Sequence, residues 1–483
     1  MQKFSTMKKL FFLPILFLLS CTSDTEITDV TNADATANKQ PGIGAQHLDS
    51  KALFNLNNVP TITLQFSVTQ WNKILTNYDL NPKNEKKVVA GFTYTLNGST
   101  VQLDSIGLKL KGNTSRRRPE GDYGQLHNAA NPDWHHCHFS LDFSKNRPNQ
   151  LFAGRNKLAL KWFKDDAAYA REIYSYDLFR RYGIWTAPRA SYCRVYIQVD
   201  GTPLANYGVY AMIENVDEDF IKQRQSRWTS GIGDLWKAGF GSDGRNADFV
   251  QTTSMGIEDV TLDPATSVFY AYDLKTNEDQ LATAKINLTQ FISDLNTKTG
   301  VEFKNWISSK MDIPLFMKTY AANVVLGMWD DYWGNGNNFY FYFAANGKAY
   351  FIPYDYDNTL GTSSLIANSG TQNPLAWGTA GKPLITKILS IPEYQTMYKN
   401  AVKELVHPNN DYFTASKSIT RILGWHQKIR PFVSNDTGED MAIEDKPAYW
   451  GNQPNYRLFS GNDQGGNNGP GNFFSSRAAS IPW

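Results

Sequence analysis

Acids and amides gather at two points of the segment 328–361: Asp330 and Asp331 with Asn335, Asn337 and Asn338 on one side, Asp355 and Asp357 on the other. Oxygen donors of these types, brought close together, hold a hard divalent cation and leave a carboxylate free to orient or deprotonate a hydroxyl. The residues between them supply a means of bringing them together. Asn346-Gly347 is the dipeptide favoured by a two-residue type I′ turn, and it lies between runs rich in aromatic and β-branched residues. With that pair as the loop, Ala345 faces Lys348 and Asn338 falls directly opposite Asp355. Opposed residues share a face of the ribbon, with Cβ atoms roughly 4.5–5.5 Å apart. The expected arrangement is a loop acid at Asp330, a strand, a turn, a second strand and an acid at Asp355.

Further elements must hold the rest of such a site. Residues 156–163 read as a strand whose alternation sets Lys157, Ala159 and Lys161 on one face, and 167–182 as a helix carrying Arg171 and Glu172, ended by Gly183. Earlier come a strand at 61–68, a short helix at 70–78 with Trp71 and Ile74, and a hairpin, 88–96 and 101–110, turning at Asn97-Gly98. The hairpin leads into Gly112-Asn113 and three arginines, Arg116, Arg117 and Arg118. Their planar forks suit phosphate oxygens, and equally suit acids of the protein itself. A second hairpin, 191–199 and 207–214, runs into Glu214 and the acids Asp217, Glu218 and Asp219, which fit the start of a helix. Trp236-Lys237 suggests a strand, 278–297 an amphipathic helix, and 313–329 a buried helix that delivers the chain to Asp330.

Composition sets outer bounds. A 483-residue chain that is 41% hydrophobic supports a large core and more than one lobe. Its net charge of +2, scattered along the chain, argues against an electrostatic nucleic-acid binder. Lys8 and Lys9 precede an apolar run, 10–19, too short to span a bilayer and suited to a signal peptide. It ends in Leu18-Leu19-Ser20-Cys21, which resembles a bacterial lipobox; the alternative is an ordinary signal peptide with an incidental Cys. The organisation expected is a lipoprotein signal at 1–20, a flexible tether at 21–59, and an anchor at Cys21 that places the protein in the bacterial cell envelope, at the outer membrane or cell surface. Cys137 and Cys193 could pair, but two isolated cysteines make neither a disulfide framework nor a zinc site. The 13 Trp and 25 Tyr allow glycan stacking at the surface, with the Gly/Asn/Pro-rich stretch 451–472, or core packing. A glycoside hydrolase using Asp330 and Asp355 would need carboxylates roughly 5–9 Å apart.

The order Gly112-Asn113-Thr114-Ser115-Arg116, the Lys161 strand, Gly208-Val209-Tyr210 with Ile213-Glu214-Asn215-Val216-Asp217, Asp330 to Asn338, and Ile352-Pro353-Tyr354-Asp355-Tyr356-Asp357 with Gly361 resembles the CotH spore-coat kinase family. The resemblance covers roughly residues 60–480. The run Arg116-Arg117-Arg118-Pro119-Glu120-Gly121 and the lipobox look more like the surface-lipoprotein members of Bacteroidetes-type bacteria. It implies an α+β, atypical two-lobed protein-kinase-like fold, with a β-rich N-lobe at 60–220 and a helical C-lobe at 221–483 that carries the catalytic loop and metal-binding hairpin. It also implies transfer of phosphate from ATP to Ser/Thr of an unidentified protein, with Mg²⁺ or Mn²⁺. By position Asp330 resembles the catalytic Asp, Asn338 and Asp355 the metal ligands, and Lys161 the phosphate-contacting lysine. Glu172 resembles its helix partner, and the stretch 213–215 with Glu214 resembles the hinge beside adenine; Arg116 is expected to join them as a phosphate contact. Asp331 competes with Asp330, Asp357 with Asp355, and Asn335 and Asn337 with Asn338; the five-residue spacing of ordinary protein kinases selects Asn335. The absence of a His-Arg-Asp triplet, and of a Gly-x-Gly-x-x-Gly loop ahead of the Lys161 strand, excludes an ordinary kinase. The competing class is a non-catalytic surface lipoprotein that binds glycan or protein on a degenerate scaffold.

Overall fold

Ile62, Leu64 and Phe66 are buried and the polar residues between them are not, so the first strand, β1 (Thr61–Phe66), shows the alternation its sequence demands. It stops short of residue 68 because Ser67 caps the next helix, Val68–Leu80, accepting from Gln70 N at 3.2 Å. Six further strands follow: β2 (Val88–Leu96), β3 (Ser99–Lys111), β4 (His138–Asp142), β5 (Lys157–Trp162), β6 (Ala190–Val199) and β7 (Ala205–Glu214). They close a barrel in the order β1-β2-β3-β4-β5-β7-β6, with β6 lying parallel to β1. Its interior is filled by Leu64, Phe92, Leu108, Phe139, Leu160, Val195 and Met212. At Asn97-Gly98 both residues have left-handed φ, +50° and +81°, and Leu96 pairs with Ser99, the two-residue I′ turn expected there. The computed structural model describes residues 50–228, 231–448, 454–459 and 472–483. The signal segment, Cys21, most of the tether and most of 451–472 lie outside the described residues. Among these no helix is long and apolar enough to cross a membrane.

The helix after β5 spans Arg171–Arg181 and not 167–182, because Asp166 Oδ2 takes the N–H groups of Ala170 and Arg171 at 2.9 and 2.8 Å and the helix begins there. It lies on the outside of the barrel, where Ala159, Tyr192, Val209, Ala211 and Ile213 share a core with Ile173, Leu178 and Phe179. Beyond β7 the chain adds a second, five-stranded sheet inside the region expected to be helical: β8 (Asp234–Ala238), β9 (Met255–Gly256), β10 (Tyr272–Leu274), β11 (Phe339–Phe343) and β12 (Ala349–Pro353). Their order is β12-β11-β8-β10-β9. Trp236, Phe341 and Phe351 on one face pack with the helices Leu281–Thr297 and Ile313–Leu326; Leu235, Tyr340, Tyr342 and Ile352 on the other pack with Val216, Phe220 and Trp228. The Ile313–Leu326 helix ends at Gly327, whose φ of +73° closes it before residue 329. Fold class is therefore mixed α+β. Residues 81–85 dock on residues 260–267 through Glu85 N to Val260 O (3.3 Å) and Asn81 Nδ2 to Thr261 O (2.8 Å).

The β11–β12 hairpin forms, but its register differs by one residue from the expected one. Phe339 pairs with Pro353 and Tyr340 with Ile352. Only Gly347 has left-handed φ (+79°), Asn346 does not, and Ala344 N donates to Lys348 O at 2.8 Å. The loop is thus Ala345-Asn346-Gly347, a turn closed by a left-handed glycine, and not the two-residue I′ turn. Asn338 consequently faces Tyr354, whose N–H reaches Asn338 O at 3.3 Å, and not Asp355. Within a ladder such a slip would reverse the faces. Asn338 (φ +54°) and Asp355 (φ +62°) stand just beyond the strand ends in left-handed conformation, so the ladder does not dictate where either side chain points.

Candidate active site

Lys161, near the end of β5, directs its Nζ out of the barrel wall into a cluster of acids, of which Glu172 is buried and Asp355 and Asp357 are partly exposed. It binds Glu172 Oε2 of the Arg171–Arg181 helix at 2.7 Å, Asp355 Oδ1, and Asp357 Oδ2 at 3.2 Å. Burial opposes the ammonium, but Asp355, Asp357 and Glu172 together carry its pKa well above the usual lysine range. The acids respond unequally. Burial alone would raise Asp355; Lys161 and Lys111 overcome it and hold the carboxyl below its usual range. Asp357 is pushed up to about 8 by burial, which Lys161 only partly offsets beside the charges of Asp355 and Glu172. Glu172 is raised as well, by burial first. Tyr176 Oη fixes the turn after β12 by accepting from Asp355 N at 3.0 Å.

Asp330 stands apart from that ammonium and is clad by amides. Asn335 Nδ2 donates to Oδ1 at 2.8 Å, Asn338 Nδ2 to Oδ2 at 3.0 Å and to the backbone O at 2.9 Å, and Asn358 Nδ2 to Oδ2 at 3.4 Å. Burial raises its pKa, Asn335 opposes this, and Asp355 adds to it. Its neighbour Asp331 does different work. It caps the short helix Tyr332–Asn335 through Gly334 N at 2.7 Å and takes Asn323 Nδ2 at 2.7 Å, wholly inside the protein. Burial pushes it up to about 7. Asn335 and Asn338, which compete for one role in the sequence, thus both serve Asp330.

Two residues expected at the nucleotide, Glu214 and Arg116, have their side chains engaged by groups of the protein itself. The Glu214 carboxylate is buried and takes Arg155 at 3.0 Å, Arg189 at 3.0 Å and Arg224 at 2.7 Å. Burial would raise its pKa, but the three guanidinium groups hold it well below the usual range. Arg116 donates to the carbonyls of Gly112, Pro82 and Asn84 and to Glu85 Oε1, so its fork fastens a loop. Arg117 pairs with Glu439 and Arg118 with Asp79. Cys137 and Cys193 are buried free thiols, both raised in pKa by burial. Sequence reasoning passed over Lys111, which donates to Tyr354 Oη at 2.8 Å, His138, its register partner, and Asn358. The alternation of Lys109-Leu110-Lys111 in β3 is a signal that would have found the first.

The donor set suits a hard cation. Glu172, Asp355 and Asp357 each offer an oxygen within 4.8 Å of the others, and the Lys161 ammonium occupies their midst as a positive charge. Asn338 turns its Nδ2 to Asp330, which frees its Oδ1 to act as an acceptor or ligand. A lysine–glutamate pair between strand and helix, hairpin acids on the same ammonium, and a separate amide-clad aspartate make this a kinase-like site. The chain belongs to the CotH kinase protein family, whose model matches residues 118–460, from Lys161 through Asp357 inclusive but short of Arg116. Among curated proteins none matches it.

Proposed function

We propose that this chain transfers the γ-phosphoryl group of ATP to a Ser or Thr hydroxyl of a protein, between a barrel N-lobe and a mixed C-lobe joined after Glu214. The observation that carries the reading is the Lys161 ammonium shared by Glu172, Asp355 and Asp357, with the amide-clad Asp330 set apart from it. Asp355 and Asn338, with Asp357 and Glu172 in reach, would hold Mg²⁺ or Mn²⁺, which supplies positive charge to the phosphates when bound. Lys161, positioned by Glu172, turns from the acids to the phosphate oxygens. Asp330 Oδ accepts the proton of the acceptor hydroxyl while its oxygen bonds to the γ-phosphorus and the bond to the β–γ bridging oxygen breaks, leaving ADP. Asn335 and Asn338 hold that carboxylate in place; its raised pKa makes it a better base than a surface aspartate. Asp331, capped and buried, is left to structure.

Carbohydrate stacking gains no comparable support, since among the described residues only Tyr123 and Phe240 of the aromatic side chains are exposed. Incubation with γ-labelled ATP, Mn²⁺ or Mg²⁺ and a cell-envelope extract tests the reading. Label should enter protein with the wild type and fall by about 10²–10⁴-fold with Asp330→Asn, while Mg-ATP raises the melting temperature of both. Equal labelling by the two proteins, or a melting temperature indifferent to Mg-ATP yet raised by an oligosaccharide, overturns it. The reading includes an envelope location through a lipid on Cys21, supported by the lipobox-like run alone; incorporation of a fatty-acid analogue, lost in Cys21→Ala, is its test.

A further inference from the structure

We propose that the cleft between the barrel and the second sheet carries an anion-binding surface, built from Lys109, Lys111, Lys237 and Lys275, that receives the carboxylates of an acidic acceptor segment. The word acceptor rests on the phosphotransfer reading above; the surface rests on geometry. Lys109 and Lys111 alternate with the buried Leu108 and Leu110 and so share the outer face of β3. Across the cleft, the register sets Lys237 of β8 between Tyr340 of β11 and Asp273 of β10, and Lys275 continues that face. The two sides meet where Lys111 Nζ donates to Tyr354 Oη at 2.8 Å and the Tyr354 ring stands edge-on to Tyr340 at 5.0 Å. Arg116, fastened in the loop after β3, draws at 3.1 Å on the same Glu85 that binds Lys109.

The acids within this group are too few for its cations. Glu85 serves both Lys109 and Arg116, Asp273 pairs with Lys275, and Glu258, whose N–H donates to Asp273 Oδ1 at 3.0 Å, is the remaining carboxylate. Lys237 has no ion pair among the described residues. Lys111 faces Asp355, but that acid is held by Lys161. Convergent like charges raise the local potential and favour an incoming anion. Lys109 registers this, for burial and then Arg116, Lys275, Lys237 and Lys111 hold its ammonium well below the usual lysine range. The side chains remain reachable, with 18% of Lys109 and 31% of Lys275 exposed. The cations lie on β3 on one side and on β8 and just past β10 on the other, a spread suited to an extended chain with several acids and too wide for one phosphate.

Fluorescence anisotropy of the full chain with three labelled peptides tests this: one Ser flanked by Asp and Glu, one flanked by Ala, one flanked by Lys. The acidic peptide should bind at least tenfold more tightly than the other two, and binding should weaken as salt rises. Lys237→Glu with Lys275→Glu should cut that affinity at least tenfold, and the milder Lys237→Gln, which breaks no ion pair, should cut it measurably. Both variants should keep the wild-type thermal response to Mg-ATP. Equal binding of all three peptides, preference for the Lys peptide, unchanged affinity in both variants, or binding of a phosphoserine peptide with none of the acidic one overturns the inference. The two readings fail separately: acidic-peptide binding without a Mg-ATP response removes phosphotransfer alone, and a Mg-ATP response without acidic-peptide binding removes the anion surface alone.

Discussion

Adjacent aspartates at 330 and 331 show how environment divides identical side chains. Asp330 keeps its carboxylate among three amides, whereas Asp331 is inside the protein with a helix N–H and Asn323 as its partners. Burial pushes Asp331 from 3.8 up to about 7, so the folded state prefers the neutral form. Stability from this group is therefore fully present below the unfolded value and lost as pH rises through about 7, at up to about 1.4 kcal/mol per pH unit. Asp357, raised to about 8, acts in the same direction. Urea unfolding of the protein without added metal or nucleotide should show a lower midpoint at pH 8 than at pH 5. Asp331→Asn, which mimics the neutral carboxyl, should shrink that difference; an equally steep dependence in the variant would contradict the assignment.

Among the elements, the two Asn-Gly turns differ in what the sequence discloses. Asn97-Gly98 makes the I′ turn its dipeptide favours, while in Asn346-Gly347 the glycine alone is left-handed and the loop begins at Ala345. Both loops use Asn-Gly and differ by one residue in length, so dipeptide chemistry could place the hairpin but not its register. Gly347→Ala should cost about 1 kcal/mol in urea unfolding, a backbone penalty only, since an added Cβ meets nothing within 4 Å. A much larger loss would mean that the turn packs against something. The Lys161 strand and the Glu172 helix were legible because alternation and helical spacing are local signals. Strands β9 and β10 are too short to display a period. The partners of Arg116 and Glu214 were illegible for another reason: a guanidinium or carboxylate looks the same whether it awaits a ligand or a partner, and Arg155, Arg189 and Glu85 are remote in sequence.

On the scale of the whole molecule, the barrel is not an independent body. The core that covers its outer face continues into the C-terminal helices through Tyr174, Trp425 and Phe474. Residues after Val433 clasp it from the side, with Asp436 on Asn206 N at 2.7 Å, Glu439 on Arg117 at 2.6 Å, and Asp440 on Trp162 Nε1 at 2.9 Å. Near- and far-UV circular dichroism should consequently report one coincident unfolding transition. A fragment of residues 50–220 should lack a dispersed amide NMR spectrum, because Val209, Ala211 and Ile213 would lose their cover. Two separated transitions would show that the barrel folds alone.

The shared ammonium at Lys161 has a kinetic corollary. On the phosphotransfer reading, the acids are already neutralised in part by a covalently tethered charge, so loading the site is an exchange and not an addition: a divalent ion arriving by itself must displace the lysine from the two aspartates and leave it with Glu172 alone in a buried place. A metal ion that arrives together with a polyphosphate offers the displaced ammonium a new anion. Free metal should then be a poor visitor, and the metal–nucleotide complex the species that the protein admits.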